Sequence, residues 1–346
     1  MKLAAIIEEY LPHLREKNRA FSSDQYSAIN AILGCRTPQY GLFKTQCQGC
    51  AEVQYGCHSC GHRSCPRCQQ HTARQWLERQ SQKLLPCPYF MATFTLPQTY
   101  RALALKQPAM VYDCLLLAAK QTLMTFAKNS QEIGSDIGIT AVLHTHTRRL
   151  DFHPHVHCIV PGGGLEKNEW RSRTKGYLFN GRALAKVFRG IFIRLLKANT
   201  DEWISAPKKW IVQCQSVGSG LPALKYLSRY LYRSVISEKN IIANRDGQVT
   251  FRYKDGKTQK NKTRTMPGDE FVWLLMQHVL PKGFRRVRDY GIVHGNARAK
   301  RQRLQLVLKI QLPPIKIKEP VCWQCEFCKG IKVVVARNIR HHDAPD

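Results

Sequence analysis

Acidic residues are scarce in this sequence. Its 346 residues include 24 aspartates and glutamates but 54 lysines and arginines, which leaves a formal net charge of +30. Solubility does not require such an excess, so the charge indicates a polyanionic partner. Nucleic acid is the first candidate and a membrane surface the weaker one. The same charge argues against a metallohydrolase that acts on small molecules.

Long apolar runs are also missing. No run reaches the roughly 18 residues that a transmembrane helix needs, and the N-terminal residues lack the apolar core and cleavage site of a signal peptide. The sequence contains no internal repeat and no low-complexity segment. A hydrophobic content of 43% predicts a folded protein, and the length allows two or three domains. The missing apolar runs and signal peptide predict a protein of the cytosol or nucleoid.

The 14 cysteines are placed unevenly, with six between Cys47 and Cys68 and three between Cys322 and Cys328. Because no export signal is present, closely spaced pairs indicate zinc rather than disulfides. The other five cysteines stand singly, mostly among apolar neighbours, and are interpreted as small buried hydrophobic side chains. These five are Cys35, Cys87, Cys114, Cys158 and Cys214.

Two Cys-x2-Cys knuckles begin at Cys47 and Cys65, and their spacing is close to that of a four-cysteine zinc site. The predicted zinc ligands are Cys47, Cys50, Cys65 and Cys68. Residues between the knuckles could replace a ligand or hold a second ion; these are Cys57, His58, Cys60 and His62. The C-terminal run Cys322-x2-Cys325-x2-Cys328 has too few ligands for a closed site. Either His341 or His342 completes it, or it is the remnant of a longer region.

Hydrophobic periodicity predicts an α+β domain with a mainly antiparallel sheet, in the order strand, helix, hairpin, helix, strand and helix. The predicted helices lie within 1–40 and near 71–85, 108–128, 182–198, 221–235 and 269–280. The predicted strands lie near 89–96, 137–147, 152–160, 210–215 and 249–253.

Histidines alternate along the predicted strand 152–160, so that His153, His155 and His157 share one face. A four-residue turn before this strand would place His144 opposite His155 on the same side of the sheet. Neutral imidazole is the commonest metal ligand among side chains. We therefore predict a metal site formed by His144, His155 and His157, with His146 and His153 nearby. The alternatives are a cluster of surface histidines, or a one-residue slip that moves His144 to the other face.

Two tyrosines, Tyr226 and Tyr230, are four residues apart and would share one face of the helix near 221–235. A tyrosine can act as a covalent nucleophile, although its ordinary pKa near 10 requires activation by nearby cations. Lys225, Arg229 and Arg233 could supply that charge. The alternative is that the tyrosines are core residues, which aromatic side chains at helical spacing more often are.

Two stretches carry dense positive charge. Residues 252–264 include six basic residues and one acidic residue, and residues 282–303 include eight basic residues and one acidic residue, interrupted by aromatic and apolar side chains. Either stretch could be a solvated surface, but together they favour contacts to a nucleic-acid backbone, with aromatics that stack on bases. The candidate DNA contacts are Lys225, Arg229, Arg233, Arg285, Arg286 and Arg288.

The strand motif His155-Val156-His157 resembles the His-hydrophobe-His motif of HUH endonucleases. Together, 152–157 and 225–233 resemble the two-tyrosine transposases of rolling-circle insertion sequences, the insertion sequence ninety-one family. The segments Cys65-Pro-Arg-Cys68 and 279–291 are similar to that family as well, and the similarity extends over nearly the whole chain.

This resemblance implies a small zinc-ribbon domain ahead of an HUH nuclease domain. The expected divisions are a helical and zinc-binding domain at 1–85, a nuclease domain at 86–280, and a basic extension at 281–346. The nuclease would hold Mg²⁺ or Mn²⁺, and its imidazole ligands favour manganese.

The resemblance also implies an activity. Tyr226 or Tyr230 would attack a phosphorus of single-stranded DNA, giving a 5′-phosphotyrosine and a free 3′-hydroxyl, and the second tyrosine would permit strand transfer. The alternatives are a plasmid replication initiator or relaxase with the same chemistry, or a non-enzymatic zinc protein that binds DNA.

Overall fold

The computed structural model describes residues 2–167, 169–172, 178–202, 204–231, 235–256, 258–312 and 323–339, without the side chains of 70 and 229–231. The helices are α1 (Leu3–Glu16), α2 (Ser23–Leu33), α3 (Gln70–Ser81), α4 (Arg101–Lys106), α5 (Pro108–Lys128), α6 (Gly181–Lys197), α7 (Leu221–Leu231), α8 (Gly268–Met276) and α9 (Arg298–Val307). The strands are β1 (Leu42–Cys47), β2 (Val53–Cys57), β3 (Tyr89–Thr95), β4 (Asp136–His146), β5 (Phe152–Pro161), β6 (Gly163–Glu166), β7 (Glu169–Ser172), β8 (Val212–Ser216), β9 (Ile241–Arg245), β10 (Gln248–Lys254), β11 (Asn261–Pro267), β12 (Val287–Gly291), β13 (Trp323–Gln324) and β14 (Ile331–Ile339).

The central sheet is built around the β4–β5 hairpin. Its strand order is β7-β6-β4-β5-β3-β8, and β12 also pairs with β4. Neighbouring strands within this described sheet run antiparallel. Antiparallel strands need only short connections, which explains why two strands only a few residues apart in sequence can form the centre.

Helices cover both faces of the central sheet because alternate residues of its strands are apolar on either side. Leu143 and Val156 belong to a buried core that includes residues of α5 and α6. Val142 and Ile159 point to the opposite face, into a second core formed with residues of α3 and α7. The predicted α+β class, with a mainly antiparallel sheet flanked by helices, is confirmed.

A third core joins the N-terminal helices to a separate three-stranded sheet. Apolar residues of α1, α2 and α8 pack there against the sheet of order β11-β10-β9. Leu150, in the turn between β4 and β5, is buried in the same core. Arg264 of β11 donates to the Asp151 carboxylate at 2.8 Å. This unit therefore holds the turn of the hairpin that carries the histidines.

The remaining sheet has four strands and brings together segments from the two ends of the described chain. Its strand order is β13-β14-β1-β2, and β1 pairs antiparallel with β14. The predicted divisions at 85 and 280 stay predictions, and two pairings cross them: β14 with β1, and β12 with β4. Among the described residues, no helix has the length and apolar character needed to cross a membrane.

Candidate active site and cysteine clusters

The register of the central hairpin places three histidines side by side. His144 pairs with His155, as predicted, and Val142 pairs with His157. A register shift lies between His144 and His146, so the irregularity falls on the turn side of the paired histidines. Since side chains alternate strictly along a strand, His144, His155 and His157 project from one face.

The three rings converge within a small volume. Ring centroids lie 4.7 Å apart for His144 and His157, 4.8 Å for His155 and His157, and 5.3 Å for His144 and His155. One ring nitrogen from each lies within 4.8 Å of the others. These separations are short enough for all three nitrogens to reach a single ion. We call these residues the histidine triad.

Neighbouring groups orient two rings of the histidine triad. The Nδ1–H of His155 donates to the carbonyl of His153 at 2.7 Å, which leaves Nε2 as the basic nitrogen. The Nδ1 of His157 lies 2.9 Å from the hydroxyl of Thr93, which stands opposite it on β3. The sequence reasoning missed Thr93, because only the pairing of β3 with β5 makes it a neighbour of His157.

Burial keeps the triad neutral. It lowers the pKa of His144 and of His157 well below the ordinary value, and their histidine neighbours lower it further. Burial also lowers the pKa of His155 to about 4, although its bond to the His153 carbonyl opposes that shift. Neutral imidazoles at pH 7 have a lone pair to offer, so these donors fit a divalent cation.

The other two predicted histidines lie beside the triad. His153 accepts at Nδ1 from the guanidinium of Arg101 at 2.6 Å. His146 packs against His278, with ring centroids 5.2 Å apart. Neither belongs to the histidine triad, and His278 is a neighbour that the sequence reasoning did not single out.

Helix α7 lies over the sheet face that carries the histidine triad. Leu224 and Leu227 are buried in the core that also contains Val142 and Ile159. On another side of α7, Tyr226 is half-buried and lines the same cavity as the triad, with a volume of about 600 Å³. Packing of the helix against the sheet thus brings a phenol and three imidazoles to one cavity.

Part of the predicted tyrosine motif lies beyond the described side chains. Tyr230 and Arg229 belong to α7, but their side chains lie outside the described residues, as does the whole of Arg233. Lys225 is exposed on the same helix.

Four cationic side chains also line the cavity. They come from the β4–β5 turn, as Arg148 and Arg149, and from β10, as Arg252 and Lys254. Arg148 also donates to the carbonyl of Lys254 at 3.3 Å, which ties the turn to the three-stranded sheet. The charge of 252–264 was noted in the sequence, but Arg148 and Arg149 were not among the candidates.

The remaining arginine candidates lie elsewhere. Arg285 and Arg286 line a second cavity of about 340 Å³ together with Arg63. Arg288 pairs with the carboxylate of Asp113, and its guanidinium lies 5.2 Å from the ring centroid of Phe284. Their role in DNA binding stays a prediction.

The structure does not bring the four predicted zinc ligands together. It divides the two knuckles between two clusters, each completed by cysteines from other segments. The helical cluster consists of Cys35, Cys60, Cys65 and Cys68, and the ribbon cluster of Cys47, Cys50, Cys325 and Cys328. The prediction of a single four-cysteine site is therefore wrong. The first knuckle lies at the end of β1 and faces the β13–β14 turn, whereas the second lies just before α3 and faces the end of α2.

Two further cysteine interpretations change with this result. Cys35 is buried, as predicted, but it is more than a hydrophobic side chain, since its sulfur lies 3.3 Å from that of Cys68. Cys325 and Cys328 form a cluster with Cys47 and Cys50. The predicted alternative partners, His341 and His342, lie outside the described residues, as does Cys322. Cys57 belongs to neither cluster.

The helical cluster has the dimensions of a metal site. The sulfurs of Cys60 and Cys68 are 3.6 Å apart. Four sulfurs at about 2.3 Å from zinc lie about 3.8 Å from one another, whereas a disulfide would need about 2.05 Å. Burial raises the pKa of Cys60 to about 12, so thiolates at this depth call for a compensating cation.

Comparison with known proteins identifies the family. A model described as a transposase zinc-binding domain, that of the insertion sequence ninety-one family, matches residues 6–96, and one described as a putative transposase matches residues 138–302. The putative transposase y4qJ of Sinorhizobium fredii is 34% identical over 329 residues, which cover 88% of this chain and 82% of the relative. The chain belongs to the insertion sequence ninety-one family of transposases. The family expected from its motifs is therefore confirmed.

Other similarities to this transposase are more distant. The transposase for insertion sequence element IS801 of Pseudomonas savastanoi pv. phaseolicola is 27% identical over 293 residues, covering 78% of this chain and 70% of the relative. A solved structure of a conjugative relaxase, TrwC in complex with oriT DNA, covers 64% of this chain and 71% of its own, at 14% identity and a TM-score of 0.28. The match of the zinc-binding domain, together with the helical cluster inside its range, supports Zn²⁺ as a cofactor of this transposase.

Proposed function

We propose that this transposase cuts and joins single-stranded DNA during rolling-circle transposition, with a tyrosine of α7 as nucleophile. One observation carries the proposal: Tyr226 and the histidine triad line the same cavity, which is also lined by cationic side chains. A phenol, three convergent imidazoles and a basic wall are the groups that metal-assisted attack on a phosphodiester requires.

The histidine triad is the proposed holder of the catalytic ion. His144, His155 and His157 offer neutral nitrogens, and two of the rings are oriented by hydrogen bonds. A divalent ion bound there, Mg²⁺ or Mn²⁺, would act as a Lewis acid on the scissile phosphate. An imidazole-rich site favours manganese over magnesium, which prefers oxygen ligands.

Tyr226 is the nucleophile that the described structure supports. Its phenolic oxygen, after losing its proton, forms a bond to phosphorus while the bond from phosphorus to the 3′-oxygen breaks. The 3′-oxygen takes up a proton and leaves as a hydroxyl, and the 5′-phosphate stays on the tyrosine. The bond energy is kept in the adduct, so no nucleotide cofactor is needed.

Tyr230 is the proposed second nucleophile. It follows Tyr226 by four positions in α7, a spacing at which helical residues are neighbours on one face. A second phenol allows a second cleavage while the first adduct is intact. A 3′-hydroxyl can then attack the phosphotyrosine, which restores a phosphodiester and transfers the strand.

Cationic side chains around the cavity are the proposed contacts to the DNA backbone. Arg148, Arg149, Arg252 and Lys254 line the cavity itself and would stabilise the charge of the phosphates on either side of the cleaved bond. The other proposed contacts to DNA are Lys225, Arg229, Arg233, Arg285, Arg286 and Arg288. An overall charge of +30 favours binding to DNA, so nucleoid association is part of the proposal.

The test is a cleavage assay with purified protein, Mn²⁺ and a single-stranded oligonucleotide that carries a terminal sequence of the element. We expect a covalent protein–DNA band on a denaturing gel, and a joined product when a second oligonucleotide supplies a 3′-hydroxyl. The band should disappear when a chelator removes Mn²⁺. Tight DNA binding with no adduct under any metal would overturn the proposal in favour of a non-enzymatic DNA-binding protein.

Thr93 gives a separate prediction about the triad. Replacing Thr93 by valine removes the hydroxyl beside His157 while nearly keeping the shape of the side chain. We expect the Mn²⁺ concentration for half-maximal adduct formation to rise about 10–100-fold, the usual cost of losing a group that orients a metal ligand. At saturating Mn²⁺ the rate should recover.

Thr93→Ser is the matched control, because serine restores the hydroxyl and should restore the metal dependence. If the valine variant needs no more Mn²⁺ than the serine variant, Thr93 does not position His157.

A further inference from the structure

We propose that the ribbon cluster is a second zinc site, which fastens the β13–β14 hairpin to the β1–β2 hairpin. Its cysteines are Cys47, Cys50, Cys325 and Cys328. The match to the zinc-binding domain ends at residue 96, so it does not include the last two of these ligands.

Hairpin pairing brings the two knuckles to the same end of one sheet. Cys47 is the last residue of β1, and Cys50 lies in the turn that leads to β2. Cys325 and Cys328 lie in the turn between β13 and β14. Because β1 and β14 are antiparallel, with Cys47 opposite Lys332, the two turns face each other. Each hairpin thus contributes one Cys-x2-Cys knuckle.

The sulfur positions fit a tetrahedral ion. Cys47 and Cys328 have their sulfurs 3.4 Å apart, and Cys50 and Cys325 3.7 Å apart. Four thiolates around zinc have S–S separations of about 3.8 Å, close to these values. A disulfide needs about 2.05 Å, so two crossed disulfides do not match this arrangement.

Backbone amides support the thiolate form. The N–H of Gly49 donates to the sulfur of Cys47 at 3.3 Å, and the N–H of Gly330 donates to the sulfur of Cys328 at 3.4 Å. Zinc binds cysteine as the thiolate, and amide N–H groups that point at the sulfurs favour that form.

Glycines leave room for the sulfurs. A Cβ on Gly330 would lie 3.1 Å from the sulfur of Cys328 and 3.2 Å from that of Cys47, and one on Gly49 would lie 3.3 Å from the sulfur of Cys328. A side chain at either position would press on the ligand sulfurs. Glycine at these two positions therefore lets the backbone pass close to the ligand sulfurs.

Zinc bound here would link two hairpins that are far apart in the sequence. Cys47 and Cys328 are 281 positions apart, and Cys50 and Cys325 are 275 apart. The pairing of β14 with β1 is the only described strand pairing that holds the C-terminal hairpin to the rest of the protein. The ion would therefore add a second link, besides this strand pairing, between the C-terminal hairpin and the β1–β2 hairpin.

The first experiment counts zinc by elemental mass spectrometry on the purified full chain. We expect two zinc ions per wild-type chain, one for each cluster, and one in the Cys325→Ser/Cys328→Ser variant. The matched control, Cys57→Ser/Cys214→Ser, changes two cysteines outside both clusters and should keep two ions. One ion in the wild type, or two in the Cys325→Ser/Cys328→Ser variant, would overturn the inference.

A second measurement needs no variant. Native protein is treated with a thiol-alkylating reagent before and after a zinc chelator, and the modified cysteines are mapped by peptide mass spectrometry. Cys47, Cys50, Cys325 and Cys328 should become reactive together, and the amides of 331–339 should exchange hydrogen faster. Cysteines that resist alkylation until a reductant is added would instead show disulfides. Neither measurement involves DNA, so its failure is distinct from failure of the proposed cleavage chemistry.

Discussion

Replacing both Tyr226 and Tyr230 by phenylalanine should abolish the covalent protein–DNA adduct and lower cleavage by about a thousandfold or more, as loss of a nucleophile does in other covalent enzymes. The reason is chemical, since phenylalanine keeps the aromatic ring but has no oxygen to bond to phosphorus. The measurement is the amount of labelled oligonucleotide that migrates with the protein on a denaturing gel.

Tyr253 provides the control for this pair. It lines the same cavity as Tyr226 but lies on β10 instead of α7, so Tyr253→Phe should leave the adduct in place. The two single variants then show which tyrosine acts first on a given strand. An adduct that persists in the double variant at the wild-type level would mean that another residue is the nucleophile.

The other large effect concerns the histidine triad. With His155 and His157 both changed to alanine, we expect binding of Mn²⁺ at this site to be lost and adduct formation to fall by about a thousandfold, in the range seen when catalytic groups are removed. DNA binding should persist, because the cationic side chains that line the cavity are unchanged. Titration calorimetry with Mn²⁺ and the cleavage assay measure the two effects.

His153→Ala is the matched control, because it removes an imidazole from the same strand. His153 hydrogen-bonds to Arg101 through its side chain and to His155 through its backbone carbonyl. The bond that orients His155 should therefore survive in this variant. Zinc content should not change in either variant. Cleavage by His155→Ala/His157→Ala at the wild-type Mn²⁺ concentration would refute the metal site.

The central hairpin was predictable because its geometry is local. Strand periodicity is two, so alternate histidines share a face whatever surrounds them. A four-residue turn was expected to set His144 opposite His155. The structure has that pair but reaches it differently, because His146 pairs with Phe152 and a bulge between the two pairs, with the extra residue on β5, shifts the register. Thr93 was not predictable in the same way, since it reaches His157 from a strand that is separated from β5 by α4, α5 and β4.

The cysteine sites show where local spacing misleads. A knuckle is visible as Cys-x2-Cys, but its partner knuckle is chosen by folding. Cys47 and Cys50 were joined to Cys65 and Cys68 because these are near in sequence, yet the strand pairing of β1 with β14 gives them partners from the other end of the described chain. The distance along the chain carried no information about this choice.

The sequence by itself determined the elements and their chemistry: the basic charge, the alternating histidines, the paired tyrosines and the presence of zinc knuckles all follow from composition and short-range periodicity. Tertiary structure decided which of these elements meet. Packing of Leu224 and Leu227 against the sheet set Tyr226 at the cavity of the triad, and strand pairing divided the cysteines between two clusters. The physical reason is that burial of apolar surface is non-directional, so it does not by itself specify which distant segments will be neighbours. Their pairing is fixed only when the complete fold satisfies the backbone hydrogen bonds and the packing together.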